Sequence, residues 1–182
     1  MRLPEKEIWT IGHSTHQPEV FLKILESFAI ELLVDVRRHP GSRRLPHFNK
    51  ASLEKWLPQQ QVEYLHLEGL GGRRKVMKDS HNTAWRLASF RGYADYMETD
   101  TFKKAAEILQ ELASGKRTAY MCSEAVWWSC HRSLISDYLK VRDWKVIHIM
   151  AAGKSMEHPF TKPAQVVDGE LSYREDNTAL PS

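Results

Sequence analysis

The chain has 182 residues, of which 42% are hydrophobic and 27% charged, with a formal net charge of +3. That length predicts one domain, residues 1–182, with a real core, and the composition excludes intrinsically disordered and fibrous classes. No apolar run approaches the roughly 18 residues of a membrane span, and the start, MRLPEKEIW, lacks a signal-peptide core, so the expectation is a cytoplasmic protein with no membrane partner.

In chain order, IWTIGH (Ile8 to His13) reads as a buried strand. Pro18 opens a helix whose apolar face is Val20, Phe21, Ile24, Leu25 and Phe28. ELLVDVR, from Glu31 to Arg37, is the second strand. Asn49 caps a helix through Leu53, Trp56 and Leu57 that should stop near Pro58. VEYLHL, residues 62–67, is the third strand. Residues 68–100 exceed a plain connection and read as an active-site loop or lid, with a short helix in FRGYADYM. Phe102, Ala105, Ala106, Leu109, Leu112 and Ala113 mark an amphipathic helix closed by Gly115. RTAYMC is a fourth strand ending at Cys122. Leu134, Ile135, Tyr138 and Leu139 face the core from a helix that starts near Ser129 or Cys130, and KVIHIM, residues 145–150, is the fifth strand. A β-hairpin is expected in residues 161–174, around Asp168 and Gly169, and a frayed tail over residues 175–182.

Alternating strands and helices predict an α/β fold. The expected form is a mainly parallel central sheet with helices on both faces, Rossmann-like and three-layered, plus the C-terminal β-hairpin. Ligands bind such sheets beyond the carboxyl ends of the strands. The segments that follow the first four strands are HST, DVRRHPGSRR, HLEGLGGRR and CSEAVWWSCHR, so four polar clusters converge on that edge.

The last cluster contains both cysteines of the chain. In a reducing compartment they are thiols or metal ligands rather than a structural disulfide. Cys130, near a helix N-terminus and followed by His131 and Arg132, should have its thiolate favoured, unless both cysteines simply pack as small hydrophobes. Cys122, Glu124, Cys130 and His131 form the candidate catalytic set. No cofactor is required; zinc or iron could sit on Cys122, Cys130 and His131, joined by His13 or Glu124, but the spacing lacks the tight turn of a C-x-x-C pair. Arg132 in a first helical turn, with Arg37 and Arg43, is suited to an anion. Asp35 either pins an arginine or transfers protons, and His13 is either a general base or a loop anchor. Trp127 and Trp128 are core packing or, beside Phe90 and Tyr93, a platform for a planar ring.

The set IGHST, LVDVRRHPGSRR, FNKASLEKWL, YLHLEGLGG, FRGYADYM and CHRSLISDYL resembles the domain of unknown function family 488, small bacterial and archaeal proteins, from Ile8 to about Tyr173. The resemblance implies a single α/β domain with signature residues Gly12, His13, Ser14, Asp35, Arg37, Pro40, Ser42, Phe48, Gly92, Tyr93, Cys122, Glu124, Cys130, His131 and Arg132. Ser14, Ser42, Arg91 and Tyr93, which lie in these motifs, join the ligand-binding set. The chain departs from the pattern at Trp127, Trp128 and Ser129, where members carry a proline, an aromatic and a basic residue. The expected function is an enzyme, hydrolase or transferase, for a phosphate-bearing ligand, nucleotide or nucleic-acid-derived, at the carboxyl edge. The alternatives are a nucleic-acid-binding module docking through RRHPGSRR and GGRRK, and a thiol- or metal-dependent redox protein.

Overall fold

The short apolar runs become central strands because only a sheet covered on both faces can bury them without a polar side. In the computed structural model, which describes residues 5–175, strands β1 (Glu7–Gly12), β2 (Leu32–Asp35), β3 (Glu63–His66), β4 (Thr118–Cys122) and β5 (Lys145–Ala151) are parallel, in the order β3-β2-β4-β1-β5. Every residue of β2 and β4 is buried. A sixth strand, β6 (Lys154–Glu157), adds antiparallel to β5 beyond the turn at Gly153. Its KSME sequence is exposed throughout and carries no alternation, so the sequence does not announce it. The C-terminal hairpin pairs β7 (Gln165–Val167) with β8 (Glu170–Ser172). Its turn residues, Asp168 and Gly169, both take positive φ, at 51° and 79°, which matches the twist of the two strands. The tail expected from residue 175 lies, from 176 onward, outside the described residues.

Helix α1 (Pro18–Ser27) buries Phe21, Ile24 and Leu25, whereas Val20 is exposed, so its apolar stripe is narrower than expected. Helix α2 (Lys50–Gln59) runs one residue past Pro58. Asn49 stands at its N-cap, but the amide oxygen accepts from Ser42 N instead of from the helix. Then follow α3 (Ala88–Tyr96), α4 (Asp100–Gly115), capped by Thr99 Oγ1 on Phe102 N at 3.3 Å, and α5 (Arg132–Val141). One core cluster lies between α1, α2 and the face of the sheet carrying Trp9, Ile11, Leu33, Ala119 and Met121. The other joins α3, α4 and α5 to Ile8, Leu32, Val34, Tyr120, Cys122 and Val146. The two-residue alternation of β4 therefore puts Cys122 on the face where α5 begins.

Residues 68–100 are a strap rather than a bare loop. Buried Asp95 of α3 accepts from Met77 N at 2.9 Å, Ser80 Oγ at 2.6 Å and Asn82 Nδ2 at 2.7 Å. Arg91 adds Nε to Ser80 Oγ at 3.2 Å. Among the described residues no helix is long and apolar enough to cross a membrane.

Gly12, at the end of β1, lies so close to the loop after β4 that a Cβ would stand 1.7 Å from the Glu124 carbonyl oxygen. Gly12→Ala should cost about 3 kcal/mol by denaturant unfolding, because the obstruction is backbone. Gly41→Ala, where a Cβ meets nothing within 4 Å, should change stability by less than about 0.5 kcal/mol.

Candidate functional site

Strand β4 delivers Cys122 to the carboxyl edge, and the chain then doubles back through a single helical turn, Trp127–Ser129. That return sets Cys130 over Cys122 with the sulfurs 2.6 Å apart and both thiols free. Arg132, only 1% exposed, lies beneath them. Its Nε donates to Cys122 Sγ at 2.9 Å, Nη1 to Thr10 Oγ1 at 2.9 Å, Nη2 to the Glu124 carbonyl at 2.7 Å, and its backbone N to Cys130 Sγ at 3.5 Å.

The electrostatics separate the two thiols. Burial, then the hydrogen bond and charge of Cys130, push the Cys122 thiol well above its usual range. Burial opposes ionisation of Cys130 as well, but the Cys122 hydrogen bond and the Arg132 charge prevail and draw it down to about 7. Of the two thiols, Cys130 is therefore the one that ionises more readily. His131 donates Nε2–H to the Val36 carbonyl at 2.9 Å, which leaves Nδ1 as an acceptor 3.5 Å from Cys130 Sγ. Burial lowers the His131 pKa and keeps the ring neutral, so Nδ1 faces Cys130 as a hydrogen-bond acceptor.

A second polar cluster forms at the ends of β1 and β2. Fully buried Asp35 accepts from Arg37 N at 3.1 Å, Arg37 Nε at 2.9 Å, Arg37 Nη2 at 2.6 Å and the Tyr64 hydroxyl at 2.6 Å. Arg37 also donates Nη2 to the Phe48 carbonyl at 2.6 Å and Nη1 to His13 Nε2 at 3.2 Å. His13 gives its Nδ1–H to the Ser14 carbonyl at 2.8 Å and stacks on Phe48 at 4.2 Å. Burial, reinforced by the Arg37 charge, lowers the His13 pKa to about 4. Of the roles open in the sequence, this geometry is that of Asp35 pinning an arginine and His13 anchoring a loop.

Above the thiols opens a crevice of about 270 Å³. Cys122, Glu124, Cys130, His131, Arg37 and Tyr93 line it. Tyr93 shapes the wall, with its hydroxyl on the Leu70 carbonyl at 2.7 Å. Glu124 presents an exposed side chain at the rim and works inward only through its carbonyl. His13, Ser14, Asp35, Ser42, Arg43, Arg91 and Arg132 do not line the crevice. Ser14 belongs to a separate cavity of about 190 Å³, Ser42 Oγ accepts from Leu45 N at 3.2 Å, Arg43 is exposed, and Arg91 ties down the strap. Arg38, Gly72 and Arg73, which the sequence offered only within the basic blocks RRHPGSRR and GGRRK, line the crevice with Arg37, and Ser89 joins them without a sequence signal. Arg38 Nη1 donates to the Arg73 carbonyl at 2.7 Å. Their signal was position: both sit in the runs after β2 and β3, and Arg38 alternates with the inward-turned Arg37. Of the aromatics, Phe90 and Tyr93 line the crevice, Trp127 packs elsewhere, flat on His148 at 4.4 Å, and Trp128 is exposed. Among the described residues no three His, Cys, Asp or Glu side chains are gathered as a metal-ligand set.

Fold and site together define an α/β protein with a mainly parallel sheet and a buried dithiol at its carboxyl edge. The family described as Domain of unknown function DUF488 matches residues 17–139, and the chain belongs to it. That span includes both cysteines but excludes β1, His13, Ser14 and everything after Leu139, so it is narrower than the resemblance read from Ile8 to Tyr173. No curated protein and no solved structure matches the chain.

The His13 shift has a defined sign. Between pH 6.5 and about 4 the unfolded chain binds a proton at His13 that the folded chain refuses, so stability is intact above 6.5 and falls as pH drops through this window. The loss should reach about 3 kcal/mol. In urea titrations, His13→Gln should start lower than wild type yet fall less steeply across that window.

Proposed function

We propose that this protein is a thiol-dependent group-transfer enzyme or hydrolase acting on an anionic small molecule of the phosphate-bearing, nucleotide-like class. The observation that carries the reading is the Cys130 sulfur, held as a thiolate by Cys122 and Arg132 on the lining of a 270 Å³ crevice. Arg38 and Arg73 supply the positive lining for the anion, and Phe90 offers a flat wall for a ring. Cys130 attacks the electrophilic atom of the substrate, a bond from sulfur to that atom forms, and the bond to the leaving group breaks. His131 Nδ1 accepts the Cys130 proton when the thiol enters protonated and returns it to the leaving group. Water or a second acceptor then releases the covalent intermediate. A cytoplasmic setting belongs to the same reading, since reducing conditions keep both thiols free.

Alkylation measures this without knowledge of the substrate. Iodoacetamide should modify Cys130 with a pH midpoint near 7, and Cys130→Ser should remove that labelling site from the peptide map. Iodoacetate, which is anionic, should react faster relative to iodoacetamide than it does with free glutathione. Arg38→Ala with Arg73→Ala should remove that preference. An iodoacetate ratio equal to that of glutathione would sink the anionic-substrate reading.

The direct contact of the two sulfurs favours a second reading, dithiol–disulfide exchange. Cys130 thiolate attacks an external disulfide, forms a mixed disulfide and releases one thiolate. Cys122 attacks the Cys130 sulfur of the mixed disulfide, displaces the second thiolate and closes the intramolecular bond, its proton passing to the departing thiolate. Oxidised glutathione should convert wild type to a form lacking two hydrogen masses, whereas Cys122→Ser should stop at the glutathionyl adduct. Wild type that also stops at the adduct argues for group transfer alone.

A further inference from the structure

Behind the thiols runs a continuous line of buried polar groups. Arg132 Nη1 lies 2.9 Å from Thr10 Oγ1, Thr10 Oγ1 2.8 Å from His148 Nδ1, His148 Nε2 2.8 Å from His158 Nδ1, and His158 Nε2 2.8 Å from Asp137 Oδ1. All five residues are 0–1% exposed. With both rings neutral, the two ends set the direction of every bond. A guanidinium only donates and a carboxylate only accepts. His158 therefore carries its proton on Nε2 and accepts at Nδ1, His148 carries its own on Nε2, and the Thr10 hydroxyl donates to His148 while receiving from Arg132. Asp137 also accepts from Thr161 N at 3.0 Å, Thr161 Oγ1 at 2.5 Å and the Tyr173 hydroxyl at 2.7 Å. Trp127 covers the line, stacked on His148 with 3° between the planes and edge-on to His158.

We propose that Thr10, His148, His158 and Asp137 are positioning residues that hold Arg132 against the Cys122–Cys130 pair and thereby keep Cys130 reactive. The inference rests on the reading of Cys130 as the reactive thiol. A dry chain of hydrogen bonds with a positive and a negative end is polarised along its length, so each bond strengthens the next. It has no need to move a proton: Arg132 stays charged, and the effect on sulfur is that of a cation held in place. The groups converge from β1, β5, the segment after β6 and α5, a costly assembly that apolar packing would replace if stability were the sole demand. Its free end is spent on the sulfurs, since Arg132 Nε meets Cys122 and Arg132 N meets Cys130. The titratable and charged groups facing Cys130 are Cys122, Arg132, His131, Tyr93 and Tyr120 within the fold and Arg37, Arg38, His39, Arg73 and Glu124 around the crevice; of the cations, Arg132 is the one hydrogen-bonded to the sulfurs.

The test uses the full chain. Thr10→Val keeps the shape but cuts the line between Arg132 and His148, and should raise the pH midpoint of Cys130 alkylation by about one unit. Thr10→Ser should restore it. In wild type labelled with ¹⁵N-histidine, His148 and His158 should both carry the proton on Nε2, and alkylating Cys130 should shift the His148 ring nitrogens. These wild-type spectra decide the matter if Thr10→Val fails to fold: a reversed tautomer, or rings that ignore the alkylation, overturns the inference. A wild-type midpoint in the ordinary thiol range overturns the Cys130 reading and this inference with it. A wild-type midpoint near 7 that folded Thr10→Val leaves unmoved overturns the inference alone.

Discussion

A guanidinium buried against two sulfurs is the constraint around which this carboxyl edge is organised. Removing an isolated cation from water costs several kcal/mol, so Arg132 is tolerable only where donors on every side find acceptors. Those acceptors come from Thr10 on β1, Cys122 on β4, the Glu124 carbonyl in the following loop and, through the backbone, Cys130 before α5. Satisfying one side chain therefore locks the end of the central strands to the start of the last helix. The absence of a side chain at Gly12 belongs to the same solution, since the Glu124 carbonyl that receives Arg132 occupies the space a Cβ would take.

Arg37 repeats the principle at the end of β2. Its donors are taken by Asp35, His13 and the Phe48 carbonyl, and Asp35 completes its own set with the Tyr64 hydroxyl. Two arginines that stand in motif positions are thus committed largely to the protein itself. The crevice draws its remaining positive charge from Arg38 and Arg73, which turn toward its lining. The site is consequently divided into a buried layer, which sets the state of the thiols, and an outer layer, which meets the ligand.

Both layers rest on short stretches of ordinary local structure. The strap from Glu68 to α3 is held by Asp95, and its close passage at Gly92 leaves only 2.1 Å between a Cβ and the Arg74 carbonyl oxygen. It forms the crevice wall through Gly72, Arg73, Ser89, Phe90 and Tyr93. Because that wall is tied to a helix, it offers the thiols a shaped opening instead of free solvent.

Much of this was legible in the chain. Short apolar or β-branched runs between turn signals marked the strands, the spacing of three and four marked the helices, and a cysteine closing a strand with another before a helix marked the edge. The exposed KSME strand was invisible because its pairing is backbone alone. The sequence by itself determined the α/β class, the family and the edge on which the thiols lie, because these follow from local periodicity and motif spacing. Only the tertiary structure decided which arginine of a pair turns inward, that Cys122 and Cys130 touch, and that His148, His158 and Asp137 stand in line behind Arg132. Thr10 and His148 are 138 residues apart in the chain, and a hydrogen bond over that separation leaves no periodic trace; it exists because strands β1 and β5 lie side by side.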